Sequence, residues 1–539
     1  MKMHKSKKRL TAALLACLLA VGSLTGCTSN GGQQSSTASQ GGESSTTSQT
    51  SSQTEEVSGT EETSNEEPLE MSIMTILFGS EIISMGEDND VVQKINEEAN
   101  VRLDIEWVPS TSYTEKVNAA IAGGQLPMVV VADSSLMRST NIVVGCENDQ
   151  FWDITDYIQE FPGLVSFYDE QTLKNAYINN RLYGLPRPRN LGRQALMIRK
   201  DWLDNLGLDM PTNLEEVYEV AKAFTENDPD QNGQNDTWGL EYMDSAYGNA
   251  AENGFNYFVV ANGGVNGWGL VDGKLTPDHL TPEYKDTLNY FRDLYSNGYM
   301  NQDFSLISGN TRYDFINGGQ AGMFAWTAED FLNCLDEELC PEAEWEFVPI
   351  LEDKNGRAVV NSTAGYNGQV MFTKSGIQDE ETLRRVLGVF EVMCRDDMQL
   401  LSSGIEGRDY KVEDGVFIEL PESKAAEQWG QLGYIFPQGA LYSACSRAGA
   451  TGTERGQKMI KYLEVSNENV LSDPTIAFNS DTRTEMGGQL DQIILDARIK
   501  YIIGEIDEAQ FDAEMDRWLS SGGSSVMEEF QAQYDEYNS

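Results

Sequence analysis

Histidine and clusters of basic residues are scarce in this 539-residue chain. There are only two histidines, His4 and His279, so a histidine-based zinc site or a serine protease-like triad would depend on His279 alone. Lysine and arginine total 38 against 86 aspartate and glutamate, which gives a net charge of −48. Such a charge repels nucleic acid and anionic membrane surfaces. It is compatible with a soluble protein that takes a neutral or cationic solute.

Cysteine gives no disulfide framework. Five of the seven cysteines follow Cys27, an odd number that cannot all pair within the chain, and no C-x-x-C motif occurs. Cys334 and Cys340 could close a short loop, but buried thiols are equally compatible with this pattern.

The N-terminus has the pattern of a bacterial lipoprotein signal. Five basic residues in the first nine precede an apolar run, LTAALLACLLAVG, which is too short for the roughly 20 residues that a membrane-spanning helix needs. The run leads into LTGC, which resembles a lipobox ending at Cys27. Lipobox proteins carry a diacylglyceryl group and acyl chains such as palmitate on this cysteine. The alternative is an ordinary secretory signal with a cysteine near its cleavage site.

A polar segment separates this signal, residues 1–27, from the body of the chain. Residues 28–67 are rich in Ser, Thr, Gly and Gln and have too few apolar residues to fold, so they predict a disordered tether of about 35 Å r.m.s. span. The body from residue 68 carries 79 acidic and 33 basic residues. At about 470 residues it exceeds the usual size of a single core, so we expect two lobes.

The start of the body predicts an α/β fold. Apolar strands at 71–78, 101–107 and 128–133 alternate with helices at 90–100 and 113–122. This β-α-β-α-β order is typical of a mainly parallel sheet covered by helices. Ligands of such sheets bind beyond the carboxyl ends of the strands, here residues 78–81 and 133–134. Farther along, Thr212 and Glu215 have capping-box spacing before the next helix.

Several sequence blocks resemble the lipoprotein-type extracellular solute-binding proteins, family 1, of Gram-positive carbohydrate ABC importers. The blocks follow the same order as in that family and together span most of 70–539. They are LYGLP, IRKDWLDNLGL, PTNLEEVYEVAKAF, DPDQNGQND, FINGGQAGMFAW, GIEGRDY and FQAQYDEYN.

The resemblance implies a two-lobed α/β fold of the periplasmic-binding-protein, or flytrap, type with a hinge. The first lobe would comprise 68–186 and 358–405, and the second 187–357 and 406–539. The implied function is capture without chemistry, so no enzyme: an oligosaccharide is bound between the lobes and delivered to the permease subunits. The implied protein is a lipid-anchored monomer on the outer face of the cell membrane.

The stretch DPDQNGQNDTWG, residues 228–239, has the oxygen spacing of an EF-hand loop with glycine at its sixth position, but lacks the usual glutamate at the twelfth. The resemblance implies a structural calcium site away from the sugar, with a sixth ligand from water, the Thr237 carbonyl or Glu241. A metal-free polar turn is the alternative. The implied ligands are Asp228, Asp230, Asn232, the main-chain oxygen of Gln234, and Asp236.

Sugar-binding sites combine aromatic rings, which stack on pyranose faces, with polar groups that satisfy the hydroxyls. Trp326 follows the glycine-marked strand where the resemblance places a cleft aromatic of the second lobe, and a core tryptophan is its alternative. Trp202 and Trp238 belong to shared blocks and are expected in the core. Asn253 and Phe255 precede a helix-like run in the second lobe. The other candidates lie near predicted strand ends or lobe crossings: Asp133, Ser134, Arg187, Arg189, Tyr366 and Asn367.

Three other functions are compatible with the sequence. A surface glycoside hydrolase or lyase needs two carboxylates at a suitable separation, and a body with 79 acidic residues can always offer a pair. Against this, the family blocks leave no room for a separate catalytic domain. A binder of peptide or another small solute with the same fold, and a sensor that presents its ligand to a membrane kinase, also remain open.

Overall fold

The computed structural model describes residues 67–77, 89–244, 254–307, 309–333, 335–336, 338–395, 398, 400–424, 428, 430–442 and 447–538. The predicted signal with Cys27, the tether up to residue 66, the strand-end residues 78–81 and Asn253 lie outside these ranges. No helix within them is both long and apolar enough to cross a membrane.

The described residues form strands and helices throughout the body. The strands are β1 Leu69–Leu77, β2 Val101–Pro109, β3 Val129–Ala132, β4 Gly184–Pro188, β5 Gln194–Arg199, β6 Trp238–Glu241, β7 Trp268–Val271, β8 Lys274–Pro277, β9 Ala321–Thr327, β10 Trp345–Phe347, β11 Val360–Asn361, β12 Tyr366–Phe372, β13 Tyr410–Glu413, β14 Val416–Glu419 and β15 Val470–Leu471. The helices are α1 Asp90–Glu98, α2 Ser110–Gly123, α3 Ser134–Met137, α4 Thr140–Glu147, α5 Pro162–Phe167, α6 Glu170–Asn175, α7 Lys200–Leu206, α8 Leu214–Glu226, α9 Gly254–Ala261, α10 Pro282–Asn297, α11 Gly309–Asn317, α12 Asp330–Asn333, α13 Glu380–Met393, α14 Leu400–Ser403, α15 Arg447–Gly452, α16 Glu454–Ser466, α17 Asp481–Ile502, α18 Glu508–Trp518 and α19 Ser524–Tyr537.

The first sheet has the strand order β2-β1-β3-β12-β4. Strands β1, β2 and β3 are parallel, and β12 runs antiparallel to both β3 and β4. The predicted β-α-β-α-β order is therefore present, with element boundaries within about three residues of the expected ones. Asn89 begins α1 by accepting hydrogen bonds from the backbone N–H groups of Val91 and Val92, which satisfies two donors that a helix start leaves free.

A second sheet has the order β10-β5-β9-β6 and lies entirely in residues 194–347. Strand β9 pairs antiparallel with β5 and parallel with β6. Each sheet has its own hydrophobic core, and the C-terminal helices α17 and α18 contribute Ala497, Tyr501 and Phe511 to that of the second. Two sheets with separate cores are the architecture expected for two lobes.

One expected lobe boundary is wrong. We placed everything after residue 405 in the second lobe, but Leu432, Ile435 and Phe436 are fully buried in the core of the first. Phe436 packs against Phe390 of α13, with the ring centroids 5.3 Å apart. The return segment of the first lobe therefore extends to about residue 436. Sequence alone gave no signal for this, because the contact partners lie far apart along the chain.

The start of α8 also differs from the prediction by one residue. The expected capping box paired Thr212 with Glu215, but Asn213 is the N-cap and its side chain accepts a hydrogen bond from the backbone N–H of Glu216. The Glu216 carboxylate reaches back to the backbone N–H and hydroxyl of Thr212. This differs from a capping box, because the Glu216 carboxylate accepts from the residue before the N-cap and not from the N-cap itself.

Candidate ligand-binding site

Within the described residues, three stretches of chain lead from one lobe toward the other. The first is residues 189–193, between β4 and β5. The second enters β12 through residues 361–365, and the third follows Phe436 toward α15. Backbone hydrogen bonds tie the first two together, from Arg189 N–H to the Gly365 carbonyl and from Thr363 N–H to the Leu191 carbonyl, both 2.8 Å. This hydrogen-bonded bundle of crossings is where a hinge between the lobes would lie.

Polar side chains meet at the carboxyl end of β3, beside the start of β12. The Ser134 hydroxyl donates to the side-chain oxygen of Asn367 at 2.9 Å. Asp133 caps α3, since its carboxylate accepts the backbone N–H of Leu136 at 2.8 Å. Gly368 makes the close approach possible, because a Cβ there would lie 2.1 Å from the Ala132 carbonyl oxygen. Three predicted site residues thus share one edge of the first sheet.

Arg187 is buried at the same edge and is only 3% exposed. Its Nη1 donates to the Asn367 carbonyl at 2.9 Å, and its guanidinium lies over the ring of Tyr434, 4.5 Å from the centroid. Burial, reinforced by the positive charge of Arg189, lowers the pKa of Arg187 to about 9. Arg189 is partly exposed and donates to the Pro188 carbonyl. Arg187 therefore remains a cation at neutral pH.

Tyr366 is largely buried, and its hydroxyl is engaged within the protein. It donates to the Asn175 carbonyl at 3.0 Å and accepts from Arg138. Arg138 also donates to the Ile476 carbonyl and to the side chain of Asn479, which belong to the segment leading into α17. Arg138 thereby connects the first lobe to the C-terminal part of the second, which sequence reasoning did not anticipate.

Trp326 lies near the end of β9, beside the first crossing. Its backbone partner on β5 is Ala195, and the Ala328 N–H donates to the carbonyl of Arg193 within that crossing. The indole is partly exposed, and the guanidinium of Arg312 lies 4.4 Å from its ring centroid. Arg312 packs one region of the indole, and the ring also packs against the hydrophobic cluster that contains Met197 and Phe324.

Arg312 is held by a fully buried carboxylate. Its Nε donates to Glu241 at 2.7 Å and its Nη2 to the Ala325 carbonyl at 2.8 Å, and both charged side chains are at most 3% exposed. Burial raises the pKa of Glu241 despite the opposing charge of Arg312. This pairing was not predicted, because nothing in the sequence marks a buried ion pair between residues 71 positions apart.

The prediction for Phe255 is wrong. Its ring is 1% exposed and packs in the second core, 5.1 Å from the ring centroid of Tyr284 and 5.3 Å from that of Phe291. A ring enclosed in this way has no surface to offer a ligand. The expected position just before a helix also differs from the structure, because Phe255 lies within α9. Asn253, its predicted neighbour in the site, lies outside the described residues.

The 228–236 loop brings its acidic side chains together around Asn232. The Asn232 amide donates to Asp230 at 2.7 Å and to Asp236 at 3.2 Å, while the Gly233 N–H donates to Asp228 at 3.0 Å. Gly233 has a left-handed φ of 77°, as the sharp turn requires. Burial and the neighbouring Asp228 raise the pKa of Asp230.

This donor set consists of oxygens that a hard cation prefers, and turning the Asn232 amide over would add its oxygen. Within the described residues, however, no group of three or more His, Cys, Asp or Glu side chains has the geometry of a metal site. Glu241 is not a sixth ligand, because it is buried against Arg312. The loop precedes β6, and Trp238 pairs with Ala321, so the loop lies at the opposite end of β9 from Trp326, about 17 Å along the strand.

The thiols described in the structure are free. They are Cys146, Cys340 and Cys394, and burial raises the pKa of Cys394 to about 12, which makes it a poor nucleophile. Cys334, the suggested partner of Cys340, lies outside the described residues. His279 is buried with its ring centroid 4.3 Å from that of Trp518, which is a packing role.

Proteins of known structure show the same two-lobed architecture. An extracellular solute-binding protein from Bifidobacterium longum subsp. infantis matches 88% of this chain and 99% of its own, with a TM-score of 0.67 at 14% identity. An EF-hand mutant of the Streptococcus pneumoniae substrate-binding protein FusA, in complex with fructo-nystose, matches 87% and 99%, with a TM-score of 0.61 at 18% identity. The fold is thus that of two-domain solute-binding proteins.

Sequence comparison is more specific. The polygalacturonan/rhamnogalacturonan-binding protein YtcQ of Bacillus subtilis is 36% identical over 446 residues, which are 82% of this chain and 87% of YtcQ. Lipoprotein LipO of the same organism is 34% identical over 80% of this chain and 86% of its own. Residues 80–380 match the model of the bacterial extracellular solute-binding proteins. Over more than half its length, therefore, this chain carries the defining sequence of the bacterial extracellular solute-binding protein family, and it belongs to that family.

Proposed function

We propose that this protein captures an oligosaccharide between its two lobes and delivers it to the permease subunits of an ABC importer, without chemical change. The observation that carries this proposal is the placement of Trp326 and of the Ser134–Asn367 pair. They lie in different lobes, and each is next to a chain crossing. A partly exposed aromatic ring in one lobe, together with hydroxyl-binding groups in the other, is suited to a pyranose chain. Closure about the crossings would enclose it.

The names of related proteins support the class of solute. YtcQ is named for binding polygalacturonan and rhamnogalacturonan, and FusA was crystallised with fructo-nystose. We carry over only what these ligands share, which is that they are chains of sugars. The affinity of the closed form for the sugar would shift the population toward that form, which the permease then recognises.

We also propose that Cys27 is lipidated and that residues 28–67 tether the body to the outer face of the membrane. The supporting observations are the basic start, the short apolar run and LTGC, together with the relationship to a protein named as a lipoprotein. Two acyl chains give stable anchoring, whereas one is marginal. The body would act as a monomer within reach of its permease.

The 228–236 loop is proposed to bind calcium as a structural clip. The support is its donor set, the left-handed Gly233, and an EF-hand in a protein of the same fold. Bound calcium would offset the mutual repulsion of the Asp228, Asp230 and Asp236 carboxylates. The distance from Trp326 along β9 argues that the ion stabilises the second lobe rather than contacting the sugar.

The first test is a thermal-shift screen of residues 68–539 against neutral and acidic oligosaccharides, with peptides as a comparison set. A ligand that binds only the folded protein stabilises it by about 2.7 kcal/mol at 100-fold over Kd, so a rise in Tm of several degrees is expected with one sugar class. Chromatography of the sugar afterwards should recover it intact. A cleaved sugar would make the protein a hydrolase or lyase, and a shift with peptides alone would reject the carbohydrate assignment.

Trp326→Ala should weaken binding of the sugar found in that screen by about tenfold or more, since a central aromatic contact contributes more than 1 kcal/mol. Isothermal titration calorimetry measures the loss, and Trp326→Phe should recover part of it. Trp152→Ala is the matched control, because Trp152 is also partly exposed but lies beside Phe372, at the opposite end of β12 from the crossings. Equal affinity in Trp326→Ala and wild type would remove Trp326 from the site.

A further inference from the structure

Arg187 is a buried cation without a carboxylate partner among the described residues. The structure gives it a single hydrogen bond, from Nη1 to the Asn367 carbonyl, and its buried Nε has none. The charge of Asp133 acts on it, but the Asp133 carboxylate is engaged in capping α3 and forms no ion pair with it. Burying an unpaired charge is costly, and proteins usually avoid it by pairing.

The matched case in this protein shows what ordinary pairing looks like. Arg199 is also 3% exposed and also lies 4.5 Å from an aromatic ring centroid, that of Trp202. Yet its Nε and Nη2 both donate to the Asp201 carboxylate, at 2.8 and 2.6 Å. In Arg187 the same Nε–Nη2 edge makes no hydrogen bond within the described residues. The Nε–Nη2 edge of a guanidinium can bind a carboxylate through two parallel hydrogen bonds.

The position of Arg187 adjoins all three connections between the lobes. Arg187 is the penultimate residue of β4, and the first crossing begins two residues later. Its backbone partner Asn367 is the second residue of β12, directly after the second crossing. Tyr434, whose ring lies under its guanidinium, shortly precedes the third. The partly exposed Arg189 adds a second positive charge close by. Arg187 therefore lies at the base of the region between the lobes, where a bound solute would lie.

We propose that Arg187, with Arg189, forms a subsite for an anionic group on the saccharide, namely the carboxylate of a uronic acid residue. This inference rests on the proposed function and specifies its substrate. It differs from what the overall charge suggests, because a net charge of −48 by itself favours neutral or cationic solutes. A local pair of arginines in an acidic body makes binding selective. The negative surface repels polyanions in general, whereas the buried guanidinium edge binds a carboxylate that reaches it in the correct position.

The test compares three saccharides of the same length and linkage by titration calorimetry: tri-galacturonate, its methyl ester and neutral galactotriose. Wild type should bind the acid at least tenfold more tightly than the ester, since the ester lacks the charge. Arg187→Gln should abolish this preference, and Arg187→Lys should retain part of it because the charge remains. Arg199→Gln, the matched control, should leave the preference intact in folded protein.

Equal binding of acid and ester by wild type would overturn the subsite, and so would an Arg187→Gln protein that keeps the preference. If neutral galactotriose or another neutral oligosaccharide raises Tm and the acid does not, the subsite is wrong while oligosaccharide capture stands. If no saccharide of any charge binds, the proposed function fails as well. A sulfated trisaccharide is included as a separate arm, and tighter binding of it than of the uronate would assign the edge to sulfate instead. Because the acid-to-ester comparison uses wild type, it remains decisive even if Arg187→Gln does not fold.

Discussion

Arg312→Met is expected to lower the free energy of unfolding by about 3–5 kcal/mol, measured by urea denaturation at pH 7. The change removes the charge that faces Glu241, and the Glu241 side chain is fully buried and already lacks a hydrogen bond at one carboxylate oxygen. An uncompensated buried carboxylate costs more than the packing that methionine preserves. Because burial raises the pKa of Glu241, the loss should shrink at acidic pH, where the carboxylate takes up a proton before the protein unfolds.

The double variant Glu241→Leu/Arg312→Met separates the ion pair from the packing. Replacing both charges by apolar side chains is often neutral or stabilising, so the double variant should recover most of the loss. Arg384→Met is the surface control, because its Glu160 partner is about half exposed and such pairs contribute at most about 1 kcal/mol. If Arg312→Met is no more destabilised than Arg384→Met, the burial of this pair does not govern stability. The indole of Trp326 packs against Arg312, and because the chain has nine tryptophans, the difference in fluorescence between Arg312→Met with and without Trp326→Phe reports whether this ring has moved.

Local patterns predicted the first lobe well, because β1 and β3 are nearly continuous apolar runs, β2 alternates apolar and charged residues, and the helices are bounded by their own signals. The strand VVVA is followed by Asp133, which ends the strand and caps α3. The positions of both elements are therefore encoded in a few adjacent residues. The N-cap of α8 was displaced by one residue for a related reason. Thr212 and Asn213 are both good caps, and only the structure decides which of them turns toward the helix.

Long-range contacts are what the sequence could not supply. Arg187 and Asn367 were both predicted as site residues, but their hydrogen bond, and the ring of Tyr434 beside them, join residues about 70 to 250 positions apart. The same limitation explains the failure for Phe255. Its neighbours along the chain indicate only that a helix is near, whereas its burial against Tyr284 and Phe291 depends on a second helix that begins nearly 30 residues later.

Calcium should raise the stability of the body, and a chelator should lower it. If calcium binds the 228–236 loop only in the folded protein, the gain is about 2.7 kcal/mol at 100-fold over Kd and about 4.1 kcal/mol at 1,000-fold. The physical reason is the cluster of Asp228, Asp230 and Asp236 carboxylates around Asn232, whose repulsion a divalent cation removes. Calorimetric Tm values with millimolar calcium and with excess EDTA measure the difference directly.

Asp230→Asn should abolish this calcium dependence, because it removes a negatively charged ligand while keeping the hydrogen bond geometry. Asp272→Asn is the matched control: Asp272 is also a turn aspartate with a left-handed φ, 51°, but it lies in the β7–β8 turn and should leave the response to calcium unchanged. A Tm that is the same in calcium and EDTA would make the loop a metal-free turn.

Because the loop is at the far end of β9 from Trp326, the affinity for sugar should be unchanged in EDTA as long as the protein remains folded. Loss of sugar binding under those conditions would instead place the ion in the binding site and contradict the role of a structural clip.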